Sequence, residues 1–287
     1  MKQIINLRKI IGGQDGAVSN GFLLRFDGRG SCHVYDLNAC QSDTSPEYAA
    51  AACFTLDKAD IIMPHSNSVM FGREYYSPDD EFPLLYTNIY NSYASAPDQL
   101  RGTTCVYRIL KNGSDFSSKL VQLIEIGFAS ESLWQSENVR DLRPYGNFAI
   151  DREKGIYYAF TMRDESCTTR YFAFDLPRLC DGTYVKNLDA KRVTLNTNDI
   201  KTWFDCEYHR YLQGASCHDG LIYSLEGFTE DAVNPPAMRI IDPENKTQIK
   251  KYLFADFNMT IEPEMIDFEG DTCYYSDNHG NFYRLEF

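Results

Sequence analysis

The chain has 287 residues, of which 43% are hydrophobic and 14% aromatic, with 20 Tyr and 18 Phe. Side chains of this kind suit pleated, half-buried surfaces, so a β-rich fold with a sizeable core is expected. The formal net charge of −13 repels phosphate backbones and anionic headgroups, which excludes nucleic acid and a membrane surface as expected partners.

No apolar run approaches the roughly 18 residues that a membrane helix needs. The opening Met1-Lys2-Gln3-Ile4-Ile5-Asn6-Leu7-Arg8 lacks the long apolar stretch and small-residue cleavage site of an export signal. A cytoplasmic chain is the expectation. The nine cysteines (Cys32, Cys40, Cys53, Cys105, Cys167, Cys180, Cys206, Cys217 and Cys273) are scattered singly with no CxxC pair. They read as buried free thiols of a reducing compartment.

In chain order, a short apolar strand, Ile4-Ile5-Asn6-Leu7, comes first, before Gly12-Gly13. Strand couples then recur: an apolar strand, a connection, and a second strand ending in an aliphatic residue beside a charge. The first couple is Phe22–Phe26 and Cys32–Leu37 around the turn Asp27-Gly28-Arg29-Gly30. The second is Phe82–Tyr86 and Cys105–Leu110, with a third strand around Val121–Ile126. Gly155–Phe160 and Tyr171–Leu176 make the third couple. The fourth is Leu221–Leu225 and Met238–Pro243, followed by Ile249–Phe254. The fifth is Thr272–Tyr275 and Phe282–Phe287 around Asp277-Asn278-His279-Gly280. The single helix expected is Ser45–Ala52, with Pro46 near its first turn.

Anchors at Leu23, Leu85, Tyr157, Ile222 and Tyr274 are separated by similar but unequal lengths, as when one unit repeats with variable outer loops. This grammar predicts an all-β, five-bladed β-propeller in one domain, 1–287. Its approximate blades are 11–57, 65–128, 145–195, 213–257 and 262–287 plus 1–10. The fifth couple stops short, so the N-terminal strand is expected to pair with the C-terminal blade and close the ring, removing exposed edges. The competing architecture is a β-sandwich or a pair of β domains.

The segments leading into the apolar strands are polar: Gln14-Asp15-Gly16-Ala17, Pro64-His65-Ser66-Asn67-Ser68, Pro144-Tyr145-Gly146-Asn147-Phe148, Gln213-Gly214-Ala215-Ser216 and Glu262-Pro263-Glu264-Met265. On these residues the chain resembles uncharacterised bacterial five-bladed β-propeller proteins, in which lead-ins of the types Q-G-A, H-x-N, Y-G-N, Q-G and E-P-E recur. The resemblance spans most of the chain and implies the fold, but no settled activity.

In a propeller such segments face a shared central funnel. Gln14, His65, Asn67, Asn147, Gln213, Glu262 and Glu264 offer amide, imidazole and carboxylate groups for sugar hydroxyls, and Tyr145 offers a stacking face. The competing reading has the same groups satisfying one another. If the site is catalytic, Glu262 and Glu264 are the first suspects, with His65 as proton carrier. Two carboxylates at i, i+2 on an extended segment lie roughly 7 Å apart, which overlaps the separation used by inverting glycosidases.

Other signals are weaker. Cys206, His209, Cys217 and His218 match no usual zinc spacing. Asp277–Asn281 reads as a hairpin turn in preference to a calcium loop, and Asp79-Asp80-Glu81 reads as a solvated loop. No Walker loop, dinucleotide fingerprint or G-x-S-x-G elbow occurs, so neither cofactor nor metal is expected. The leading expectation is a propeller that binds a small polar ligand or glycan. The alternatives are a glycoside hydrolase or polysaccharide lyase, and a scaffold that holds a protein partner on variable loops such as Tyr90–Leu100.

Overall fold

A computed structural model describes residues 1–40, 45–89, 103–127, 143–162, 168–207 and 211–287. The chain opens with β1 (Gln3–Asn6), and the rest folds into five sheets. The first holds β2 (Gly16–Ser19), β3 (Phe22–Phe26), β4 (Ser31–Asp36) and β5 (Ala52–Thr55). The second begins with β6 (Val69–Phe71), β7 (Leu85–Ile89), β8 (Thr103–Asn112) and β9 (Asp115–Ile126). The third holds β10 (Arg143–Asp151), β11 (Ile156–Met162) and β12 (Thr169–Asp175). Its fourth strand is β15 (Thr202–Cys206), reached after β13 (Thr183–Val185) and β14 (Ala190–Leu195). The fourth sheet holds β16 (Leu212–His218), β17 (Leu221–Glu226), β18 (Ala237–Asp242) and β19 (Thr247–Leu253). The fifth holds β20 (Pro263–Glu269), β21 (Thr272–Asp277) and β22 (Phe282–Glu286).

Successive sheets adjoin in a ring through their inner strands: β2 lies against β6, β10 against β16, β16 against β20 and β20 against β2, while the second and third sheets meet through β7 and β10. The five sheets are the blades of a five-bladed β-propeller. Its core lies between blades. One cluster joins Met70 and Tyr86 to Phe148, Tyr157 and Ile222, across blades two to four. A second joins Leu24 to Phe71 and Leu85, a third Leu225 to Ile266 and Tyr275, and a fourth Leu23 to Met265 and Phe282. Blade middles are therefore apolar on both faces, which is why the couples read as near-continuous apolar runs. Closure follows the expected route: β1 pairs antiparallel with β22, from Gln3↔Glu286 to Asn6↔Tyr283.

Four readings change. The apolar anchors Leu23, Leu85, Tyr157, Ile222 and Tyr274 lie on the second strand of each blade, and the polar lead-ins flow directly into the innermost strands. Two of those strands carry small or polar residues, Gly16-Ala17 on β2 and Gln213-Gly214-Ala215-Ser216 on β16, where little side-chain volume fits at a crowded axis, and an apolar-run reading passes over them.

Residues 183–195 lie on the second sheet, although the span 145–195 groups them with the third blade. There β14 pairs parallel with β9, from Lys191↔Gln122 to Leu195↔Ile126, and covers an outer edge that would otherwise be bare. Ser45–Ala52 is extended, not helical: Tyr48 N–H donates to the Lys9 carbonyl and Ala51 N–H to the Val34 carbonyl. Tyr48 and Ala50 pack on the cluster between the fifth and first blades, an anchorage that one isolated helical turn would forfeit. The acidic run is not merely solvated. Asp80 accepts from Arg108 Nε at 2.9 Å, and Glu81 from Lys111 Nζ at 2.8 Å.

Candidate functional site

At the end of the channel where the inner strands begin, polar groups from all five blades meet. Asp15, fully buried, joins the first blade to the second: its N–H donates to the Ser66 carbonyl at 3.0 Å, and its Oδ2 accepts from Val69 N–H at 2.7 Å. Asn67 Nδ2 donates to Gln213 Oε1 at 2.7 Å, and Gln213 Nε2 donates to Glu262 Oε1 at 2.6 Å. Asn278 Nδ2 donates to Glu262 Oε2 at 2.9 Å. Asn147 Nδ2 adds a bond to the Gln213 carbonyl at 2.9 Å. A chain of side chains thus runs through blades two, three, four and five.

Gly214 makes this convergence possible. A Cβ there would stand 2.3 Å from the Glu264 carbonyl oxygen and 2.9 Å from Asp15 Oδ1. His65 and Gln14 flank the Gly28 turn, where a Cβ would meet His65 Nδ1 at 3.4 Å and Gln14 Cγ at 3.8 Å. Gln14, His65 and Glu262 are half-buried, whereas Asn67, Asn147, Gln213 and Glu264 are buried. Tyr145 lies on β10, but its side chain is outside the described residues, as are His209 and the Tyr90–Leu100 connection.

The two glutamates occupy different surroundings. The register of β20 shifts between Pro263 and Met265, so simple alternation does not describe their relation. Burial pushes Glu264 well above the usual carboxylate range, and the neighbouring Glu262 adds to the shift while the Arg25 guanidinium opposes it. Burial also raises Glu262, against the hydrogen bonds from Asn278 and Gln213. Desolvation lowers His65, so its imidazole is neutral at pH 7. Three buried oxygens here, Asn67 Oδ1, Asn278 Oδ1 and Glu264 Oε2, have no hydrogen-bond partner among the described residues.

Sequence reasoning passed over Arg25, Asp15, Asn278 and Asp267 as members of the polar axis. Arg25 is fully buried on β3, and its Nη2 donates to the carbonyls of Gly13 and Asp277 at 2.9 and 3.0 Å. A lone arginine inside Phe22-Leu23-Leu24-Arg25-Phe26 was a readable signal, since an unpaired charge is seldom buried. Asp267 holds the far end of the axis: it accepts from Val18 N–H at 2.8 Å, Ser216 Oγ at 2.8 Å and Arg152 Nη2 at 3.3 Å.

A separate cavity of about 800 Å³ opens beside the ends of β12 and β14, over Phe174, Leu176, Val193 and Leu195. Its rim charges are largely paired with each other, Lys201 with Asp175 at 2.5 Å and Arg178 with Asp181 at 3.4 Å. Among the described residues, no three His, Cys, Asp or Glu side chains are placed to share a metal ion, and no helix is long and apolar enough to cross a membrane.

The fold defines the class: a five-bladed β-propeller whose polar axis is stitched across blades. No family model matches the chain, and no curated protein does. Among solved structures it is similar to a glutaminyl cyclase from Myxococcus xanthus, at 8% identity over 100% of this chain and 97% of the other, with a TM-score of 0.49. It is also similar to the Dos1 propeller, at 10% identity over 95% of this chain and 59% of the other, with a TM-score of 0.38. Likeness at this level carries nothing about what the chain binds or does.

Proposed function

We propose that the lead-in mouth of the channel binds a small polyhydroxylated ligand, a carbohydrate being the class that suits it best. The observation that carries this reading is the surplus of unpartnered polar atoms: the acceptors Asn67 Oδ1 and Asn278 Oδ1, and the carboxyl oxygen Glu264 Oε2, are buried without a hydrogen-bond partner among the described residues. The amide donors beside them are already committed to Gln213 and Glu262. Sugar hydroxyls supply donors in a tight array, and buried acceptors left without them cost about 1–3 kcal/mol each. The half-buried Gln14, His65 and Glu262 stand at the rim, where a ligand makes first contact.

Calorimetric titration with neutral sugars, amino sugars and uronates tests the reading. Saturable binding that weakens about tenfold or more on His65→Ala and on Gln213→Ala is the expected result. No binding by any class would remove the proposal.

A hydrolase or lyase is the second reading, favoured by one observation: burial opposes ionisation of the fully enclosed Glu264 more strongly than that of the half-buried Glu262 beside it. Two carboxyl groups whose surroundings push their pKa values apart are the arrangement of a general acid and its partner. Glu264→Gln then abolishes turnover of an oligosaccharide while binding persists. Undiminished turnover in that variant would exclude Glu264 as the acid.

A further inference from the structure

We propose that the opposite mouth of the channel is a second site, which takes an organic ammonium group. The β10–β11, β16–β17 and β20–β21 turns enclose a cavity of about 290 Å³ there. Four carboxylates line it, from Asp151, Glu153, Asp219 and Asp271, against one permanent cation, Arg152. The Arg152 guanidinium is committed inward, with Nε donating to the Phe71 carbonyl at 2.7 Å and Nη2 to Asp267. Lys154, beside the cavity at Gly220, gives its ammonium to Glu244 at 3.2 Å.

Asp151 points to a ligand independently of the charge count. It is 4% exposed, its Oδ1 accepts from Lys154 N–H at 2.8 Å, and its Oδ2 has no hydrogen-bond partner among the described residues. A buried carboxylate oxygen without a donor is costly, and Asp151 is among the residues that line the cavity. The wall is aromatic: the His218 ring lies flat on Phe268, with centroids 4.3 Å apart and planes 2° apart. His218 Nε2 stands 3.5 Å from Asp219 Oδ2 and 4.0 Å from Asp271 Oδ1.

The spacing selects the kind of cation. A bare metal ion draws several oxygens to within about 2.6 Å of one point, and no three such side chains among the described residues are so placed. An alkylammonium instead directs three N–H donors to separated acceptors and lays its carbon chain on a ring. A free polyamine and a lysine side chain of a partner share this chemistry.

The test titrates putrescine, Nα-acetyl-lysine amide and calcium chloride into the full chain. Three proteins are compared: wild type, Asp151→Asn, which keeps the Oδ1 acceptor, and the exposed pair Asp219→Asn with Asp271→Asn. Circular dichroism and the ligand-free unfolding midpoint establish that each is folded. Saturable one-to-one binding of putrescine or the lysine derivative, weakened about tenfold or more in both variants and by added salt, is expected. Tighter binding of putrescine assigns a free polyamine, and tighter binding of the lysine derivative assigns a partner's side chain. The proposal is overturned if neither amine binds, if both variants bind as wild type does, or if calcium occupies the site in preference to both amines.

Discussion

Glu264 concentrates the residue-scale physics of the axis. Its folded-state pKa lies well above its ordinary value of 4.5, so the folded chain holds a proton that the unfolded chain releases. Stability from this group is fully present at low pH and declines as pH rises from about 4.5 through the folded value. The His65 shift has the opposite sense: folding depresses a pKa that is ordinarily 6.5, so its contribution is present above that pH and declines as pH falls through the folded value. Glu264→Gln removes the first dependence. Chemical unfolding from pH 5 to 8 is therefore expected to show wild type losing stability relative to this variant as pH rises. A constant difference between the two proteins would mean that Glu264 is ionised when folded. Gly214 supplies a second prediction. Its missing Cβ lets the Glu264 carbonyl and the Asp15 carboxylate close on the axis, so Gly214→Ala should cost about 1–3 kcal/mol by overpacking. Equilibrium denaturation measures that loss, and a neutral result would show that the axis has slack.

At the scale of elements, the ring depends on strands that short apolar patterns describe unequally well. Closure by β1 was legible because Ile4-Ile5-Asn6-Leu7 is an apolar strand with no couple of its own, while the fifth couple lacks a strand. Removing residues 1–6 bares β22 and takes away the half-buried Ile4, which packs against the cluster of Ile266, Tyr275 and Leu285. A loss on the order of 2–4 kcal/mol and concentration-dependent association through the open edge are expected, read by denaturation and light scattering. A truncated chain as stable as the full one would contradict closure by this strand. The inner strands were hidden by their own composition, since Gly16-Ala17-Val18 and Gln213-Gly214-Ala215-Ser216 carry too little apolar bulk to announce themselves. Parallel pairing of β14 with β9 was not legible at all: it joins residues distant in the chain through backbone bonds, and the alternation of Lys191–Leu195 names no partner strand.

For the whole molecule, the repeat grammar led to the five-bladed ring, and the ring brings the polar lead-ins together. Asn67, Asn147, Gln213 and Glu262 were recognisable as one group because each stands in the same place in its repeat. Their direct bonds to one another are a property of the closed ring, as is the burial that separates Glu264 from Glu262. Arg25 and Asp267, lying within strands, fell outside the pattern, although Arg25 faces Glu264, Asp15 and Asp277 and Asp267 accepts from Arg152. The most direct measurement is nuclear magnetic resonance of side-chain amides in 15N-labelled protein, with the Gln213 and Asn67 signals assigned by their loss in Gln213→Ala and Asn67→Ala. Titration with a sugar that binds by calorimetry is predicted to shift both amide signals in proportion to site occupancy. Saturation without movement of either signal would contradict ligand binding at this mouth of the channel.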